Sequence, residues 1–134
     1  MSTLKVNTIQ NTSGGSSSTP TQIEQGRAKV WASVNGTGTP SLNDSFNCTS
    51  VADNGTGDYT LGFSISMANT NYCAVGMSEN WEGSNSDSYT AISDMKDTRQ
   101  VNSIRFRCLR LRFDQHPPQF QDSVHMGIAI FGDV

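Results

Sequence analysis

Asp53-Asn-Gly-Thr-Gly-Asp58-Tyr-Thr-Leu-Gly-Phe-Ser-Ile-Ser-Met67 decides the fold class of this chain. Tyr59, Leu61, Phe63, Ile65 and Met67 fall on one side of an extended backbone, with Asp58, Thr60, Gly62, Ser64 and Ser66 on the other. A period of two over that length is a strand with one buried face. Asn54-Gly55 separates this run from an earlier apolar stretch marked by Phe46, Cys48 and Val51. Both residues tolerate positive φ, as a tight hairpin requires, so the spacing predicts two strands joined there. A calcium loop is not indicated, because the spaced ligands and terminal glutamate are missing.

The same period recurs on both sides. Ala28, Val30, Ala32 and Val34 alternate with Arg27, Lys29, Trp31 and Ser33, which places Trp31 on the polar face. A large aromatic there is expected to meet a partner. Asn35-Gly-Thr-Gly-Thr-Pro40 is a turn. Tyr72–Ser78 reads as a strand with Cys73, Val75 and Met77 on one face, and Tyr89–Met95 as another. Ser103–Phe113 changes parity: Ile104, Phe106 and Cys108 are even, Leu109, Leu111 and Phe113 odd. Arg105 and Arg107, then Arg110 and Arg112, swap likewise, which predicts a β-bulge at Cys108-Leu109. Asp114-Gln-His-Pro-Pro118 is expected to end that strand. Val124, Met126, Ile128 and Ile130 share a face of the last one. No stretch shows a helical period. Short strands with frequent turns predict an all-β chain, a single β-sandwich or jelly-roll-like domain over residues 27–134.

Residues 1–26 differ. Leu4, Val6 and Ile9 form a short apolar pattern, followed by a Gly/Ser/Thr-rich stretch from Asn11 to Pro20. An apolar segment on a flexible leash is expected to act as an attachment and oligomerisation arm.

In 134 residues, 34% are hydrophobic and 16% charged, thin apolar content for a free-standing monomer, which points to burial against copies of itself. A net charge of −3 predicts no nucleic-acid partner. No apolar run approaches the roughly 18 residues of a membrane span, and the opening residues lack a secretory apolar core. Synthesis in a cytoplasm without Sec export is expected. Cys48, Cys73 and Cys108 are odd in number and widely spaced, which predicts buried free thiols rather than a disulfide framework or zinc site.

Residues for catalysis are sparse. His116 abuts two prolines, and His125 has only Ser123 nearby, which is proximity without a triad. No enzyme, cofactor or metal is expected. Arg105, Arg107, Arg110 and Arg112 are the one concentration of charge, expected either as a solvated face or as a ladder paired with carboxylates of a neighbouring copy. Trp81, in the polar loop Glu79–Ser88, and the following Tyr89 are candidates for recognising a host-surface carbohydrate or protein.

The opening Leu4-Lys-Val-Asn-Thr-Ile-Gln-Asn-Thr-Ser-Gly-Gly15 resembles the N-terminal stretch of tail-fibre-like virion proteins of cyanophages and other marine tailed bacteriophages. Arg27-Ala-Lys-Val-Trp31, Asn35-Gly-Thr-Gly38, Asp44-Ser-Phe-Asn47, Asp53–Tyr59 and Ile130-Phe-Gly-Asp133 continue the likeness in order. Asn80–Val101 carries none of it, and no shaft repeat is present. The resemblance implies a β-rich homotrimer in the virion, made in the host bacterial cytoplasm, whose N-terminal stretch joins it to the particle. Its expected role is a tail fibre or appendage module able to contact the host surface. The alternative is a capsid decoration or head-fibre protein that stabilises the capsid.

Overall fold

A computed structural model of the chain describes residues 2–79, 88–95, 97–112 and 115–134. Among the described residues the chain is all-β apart from one short helix, α1 (Pro20–Gly26). β1 (Val30–Asn35), β2 (Ser41–Phe46), β5 (Cys73–Ser78) and β9 (Met126–Phe131) form one sheet in the order β2-β1-β9-β5. β3 (Cys48–Gly55), β4 (Asp58–Phe63), β7 (Ser103–Arg112) and β6 (Ser88–Asp94) form the second in the order β3-β4-β7-β6, with β8 (Gln115–Phe120) also on β7. Every pairing is antiparallel.

The core lies between the two sheets and comes from their central strands. Val30, Ala32 and Val34 of β1 and Met126, Ile128 and Ile130 of β9 meet Tyr59, Leu61 and Phe63 of β4 and Ile104, Phe106 and Cys108 of β7. These are the alternate positions singled out above in each strand, so alternation located the core strand by strand. Met67 and Tyr72 are also buried, but from the connection between β4 and β5 rather than from strands.

Several expectations change. The stretch holding Phe46, Cys48 and Val51 is two strands, not one: the chain leaves the first sheet after Phe46 and enters the second at Cys48. Asn47 makes the corner at φ +57, a left-handed conformation that Asn adopts more readily than most residues. Its side-chain amide donates to the Lys29 carbonyl at 2.8 Å, tying the corner to β1. The β3–β4 hairpin is present, but its turn is Thr56-Gly57, with Gly55 opposite Asp58 and Gly57 at φ +63.

No bulge interrupts β7 at Cys108-Leu109, because β6 pairs with it in one register from Asp94↔Phe106 to Ser88↔Arg112. The irregularity falls between Arg110 and Arg112 on the β8 edge. The parity change has another cause: β7 outruns the core. Beyond Cys108 its partner on that edge passes from β4 to β8, and the inward position is taken by Arg110 rather than an apolar residue. Of the segment expected to end β7, Gln115 to Pro118 belong to a further strand, β8, with both prolines on a sheet edge where a missing N–H is tolerated. Val124 lies outside β9 and is exposed.

The N-terminal segment is not all leash. Thr19 caps α1, accepting from Gln22 N at 3.2 Å, while Gln22 Oε1 accepts from Thr19 N at 2.8 Å, and Pro20 occupies the first turn. Seven residues are too few to show a helical period, so the capping box was the readable signal. Ile9 and Ser18 exchange two backbone hydrogen bonds of 2.8 Å, closing a turn over the Gly/Ser stretch.

Candidate functional site

The outer face of the first sheet carries an apolar row. Its strand pairings align Phe46, Trp31, Ala129 and Val75 in one row across all four strands. The next row runs Asp44, Ser33, Gly127 and Met77. Trp31, Phe46, Val75 and Met77 are all exposed, Met77 to 75%. A shallow groove of about 470 Å³ runs between Trp31 and the Val75–Met77 edge over Gly127 and Ala129. Here β5 turns its larger apolar residues outward, while Ala74, Gly76 and Ser78 take the inward positions. The reason is steric: a Cβ on Gly76 would already lie 3.1 Å from Ile92 Cγ2 of the facing sheet. Cys73 therefore points out and is exposed, contrary to the expectation that all the cysteines are buried, whereas Cys108 is buried and Cys48 half-buried.

The outer face of the second sheet is polar around Asp58. Asp58 Oδ1 accepts from Arg105 Nε at 2.7 Å, and Oδ2 from Arg105 Nη2 and Arg107 Nε at 3.0 Å each. Although on the outer face, Asp58 is only 7% exposed, because the two guanidiniums cover it. Arg105 and Arg107, expected as a solvated face or as a ladder toward a neighbouring copy, instead have their carboxylate within the chain. Arg107 also lies 4.7 Å over the Phe120 ring. Arg110 is half-buried on the other face of β7, and the side chain of Arg112 lies outside the described residues.

The Arg105 guanidinium, reinforced by Arg107, holds the Asp58 carboxyl below its ordinary range, against the opposing effect of burial. A carboxyl lowered in the folded state contributes stability that is complete above its unfolded pKa and is lost as pH falls through the folded one. The expected result is a wild-type stability that drops more steeply from about pH 5 to pH 2 than that of Asp58→Asn. At pH 7 that variant should be less stable by about 1.5 kcal/mol, a value reduced by the partial exposure of both arginines. Urea titrations across that pH range check both, and parallel curves would rule out the carboxylate as the source.

The arm candidates Leu4, Val6 and Ile9 are exposed, as is Ile23 of α1. The arm is fastened at its base. Lys29 is 3% exposed, and its ammonium donates to the Glu24 backbone carbonyl and, at 2.6 Å, to Glu24 Oε1. Arg27 Nη2 bonds the same carboxylate at 2.8 Å, and Lys29 followed by Arg27 lowers its pKa. Lys29 directly precedes β1, at a position expected to continue its polar face; its burial was not readable because its partner helix showed no period.

Trp81 lies outside the described residues, as does the side chain of Tyr89. Ser123 Oγ donates to the His125 carbonyl at 3.2 Å, a backbone contact rather than a nucleophile–base pair. Among the described residues, no three His, Cys, Asp or Glu side chains are grouped as a metal ion would need. Among them too, no helix is long and apolar enough to cross a membrane.

Comparison of the chain with protein-family models, with curated protein sequences and with solved structures finds no match in any of the three.

Proposed function

We propose that this chain is a structural module of a bacteriophage particle, a tail fibre or appendage component that works by assembly rather than turnover. The observation that carries it is the apolar row Phe46–Trp31–Ala129–Val75, left uncovered across one sheet. A contiguous apolar face on a small domain favours burial against another copy. The threefold state and the virion location follow the sequence resemblance; the first and last strands, β1 and β9, pair at the centre of the first sheet. Leu4, Val6 and Ile9 would then add a strand or apolar plug to a neighbouring virion protein.

Light scattering on the wild-type chain should give roughly three times the 14.5 kDa protomer mass. Trp31→Ser combined with Met77→Ser should reduce it to the protomer, with the sheet structure retained. A wild-type monomer at assay concentration would overturn the self-assembly reading. Antibody labelling of intact virions tests the location. Label on the tail supports a fibre or appendage. Label over the head assigns the same arm and face to a capsid decoration protein, and label on neither removes the virion role.

A further inference from the structure

β5 and β6 are the last strands of their sheets, and among the described residues no strand pairing joins the two edges. A slot of about 300 Å³ opens between them, floored by Ile104, Phe106 and Ile128 of the core. We infer that the outer edge of β5 receives the arm segment Leu4–Ile9 of a second copy of this chain, added as a further strand that closes the slot. This rests on the assembly reading above and names both the receiving edge and the neighbour.

The way the edges are protected selects β5. An unpaired strand edge is a template for another chain, and folded domains blunt it with charge, proline or a bulge. β2 carries Asp44 beside a register shift in its pairing with β1. β3 carries Asp53 and two register shifts, and β8 carries Pro117 and Pro118. β6 carries Asp94, ion-paired with Arg99 at 2.6 Å. Cys73-Ala-Val-Gly-Met-Ser78 has no charge, no proline and an unbroken register with β9. The core is also uncovered along this edge. Gly76 faces inward, towards Ile92, yet is exposed, and Ala74 and Ile92 are only half-buried. At one end of the edge Thr90 Oγ1 donates to the Ser78 and Glu79 carbonyls at 3.1 and 3.0 Å. At the other, Arg99 Nη1 donates to the Tyr72 carbonyl at 2.7 Å. The slot lies between those two ties.

The arm supplies what this edge lacks. Leu4–Ile9 has as many residues as β5 and contains neither glycine nor proline, so each spans roughly 20 Å when extended. Extended, the segment puts Leu4 and Val6 on one side and Lys5, Asn7 and Ile9 on the other. Added to β5, the first pair covers the slot beside Ile92, and Ile9 prolongs the apolar row past Val75. In its own protomer the segment leaves this edge open, and Leu4, Val6 and Ile9 stay exposed. The Ile9–Ser18 closure takes up the leash and Lys29 fastens its base, so the length left free is that of one strand. A neighbouring copy brought close by the apolar row presents its arm to β5 at high effective concentration. Main-chain hydrogen bonds along the edge then give affinity, and the slot gives selection for alternate apolar side chains.

The test uses the full-length chain, with isotope-labelled and unlabelled copies refolded together from urea, and reads isotope-filtered NOEs and amide hydrogen exchange. The expected result is contact between the Leu4 or Val6 methyls of one copy and Ala74, Gly76 or Ile92 of another, with the amides of Cys73–Ser78 protected. Leu4→Asp combined with Val6→Asp, both at exposed positions, should keep the sandwich folded and abolish those contacts. Exchange in β5 should then quicken about tenfold or more. A synthetic peptide of residues 2–10, added to that variant, should restore the protection saturably whatever the mass of the chain. A wild-type monomer overturns the assembly reading and this inference together. An oligomer in which the peptide leaves β5 unprotected overturns this inference alone. So do arm contacts confined to one chain or to another surface, or β5 exchange unchanged in the double variant.

Discussion

Phe106→Ala is expected to lower the stability of this domain by about 4 kcal/mol, the largest single loss among the substitutions considered. Phe106 is 1% exposed and sits on β7, midway between the β4 and β6 edges. Its ring centroid lies 5.5 Å from that of Tyr59 at an interplanar angle of 37°, so the two rings fill the space facing β1 and β9. Truncation removes the apolar area and leaves a cavity that two hydrogen-bonded sheets can close only partly. A domain of this size has on the order of 5–15 kcal/mol in total, so the variant should be close to unfolding. In urea the midpoint should fall by about 2 M with little change in slope. Phe120→Ala provides the control: that ring is half-exposed, and its loss should cost about 1 kcal/mol or less. Similar midpoints for the two variants would show that β7 does not carry the core.

Gly57→Ala should cost about 3 kcal/mol, from a single methyl group. Gly57 has φ +63, where any side chain is strained, and a Cβ there would lie 2.6 Å from both the Cys108 carbonyl oxygen and Gln121 N. Both atoms are backbone, so no rotamer change relieves the contact. The hairpin turn would have to withdraw from β7, weakening the hydrogen bond from Cys108 N to the Gly57 carbonyl at 2.8 Å and that from Gly57 N to Asp122. Gly38 isolates the conformational part. Its φ is +66, but nothing lies within 4 Å of an added Cβ, so Gly38→Ala should cost only about 1 kcal/mol. Thermal melts of the two variants side by side measure the difference. Equal shifts would mean that backbone strain alone accounts for Gly57.

The sequence by itself determined the all-β class and most of the core. Tyr59, Leu61 and Phe63, then Val30, Ala32 and Val34, then Met126, Ile128 and Ile130 could be assigned because a strand reverses its side chains at every residue, a strictly local rule. Trp31 was legible as an outward-facing aromatic for the same reason. Long-range packing decided the rest. Alternation separates the two faces of β5 but does not say which one is inside; the closeness of Gly76 to Ile92 sends Val75 and Met77 outward and creates the apolar row. The change of sheet at Asn47 rests on one backbone dihedral that no apolar pattern records. Asp58 looked like a turn residue and became the anchor of two arginines only when β4 paired with β7.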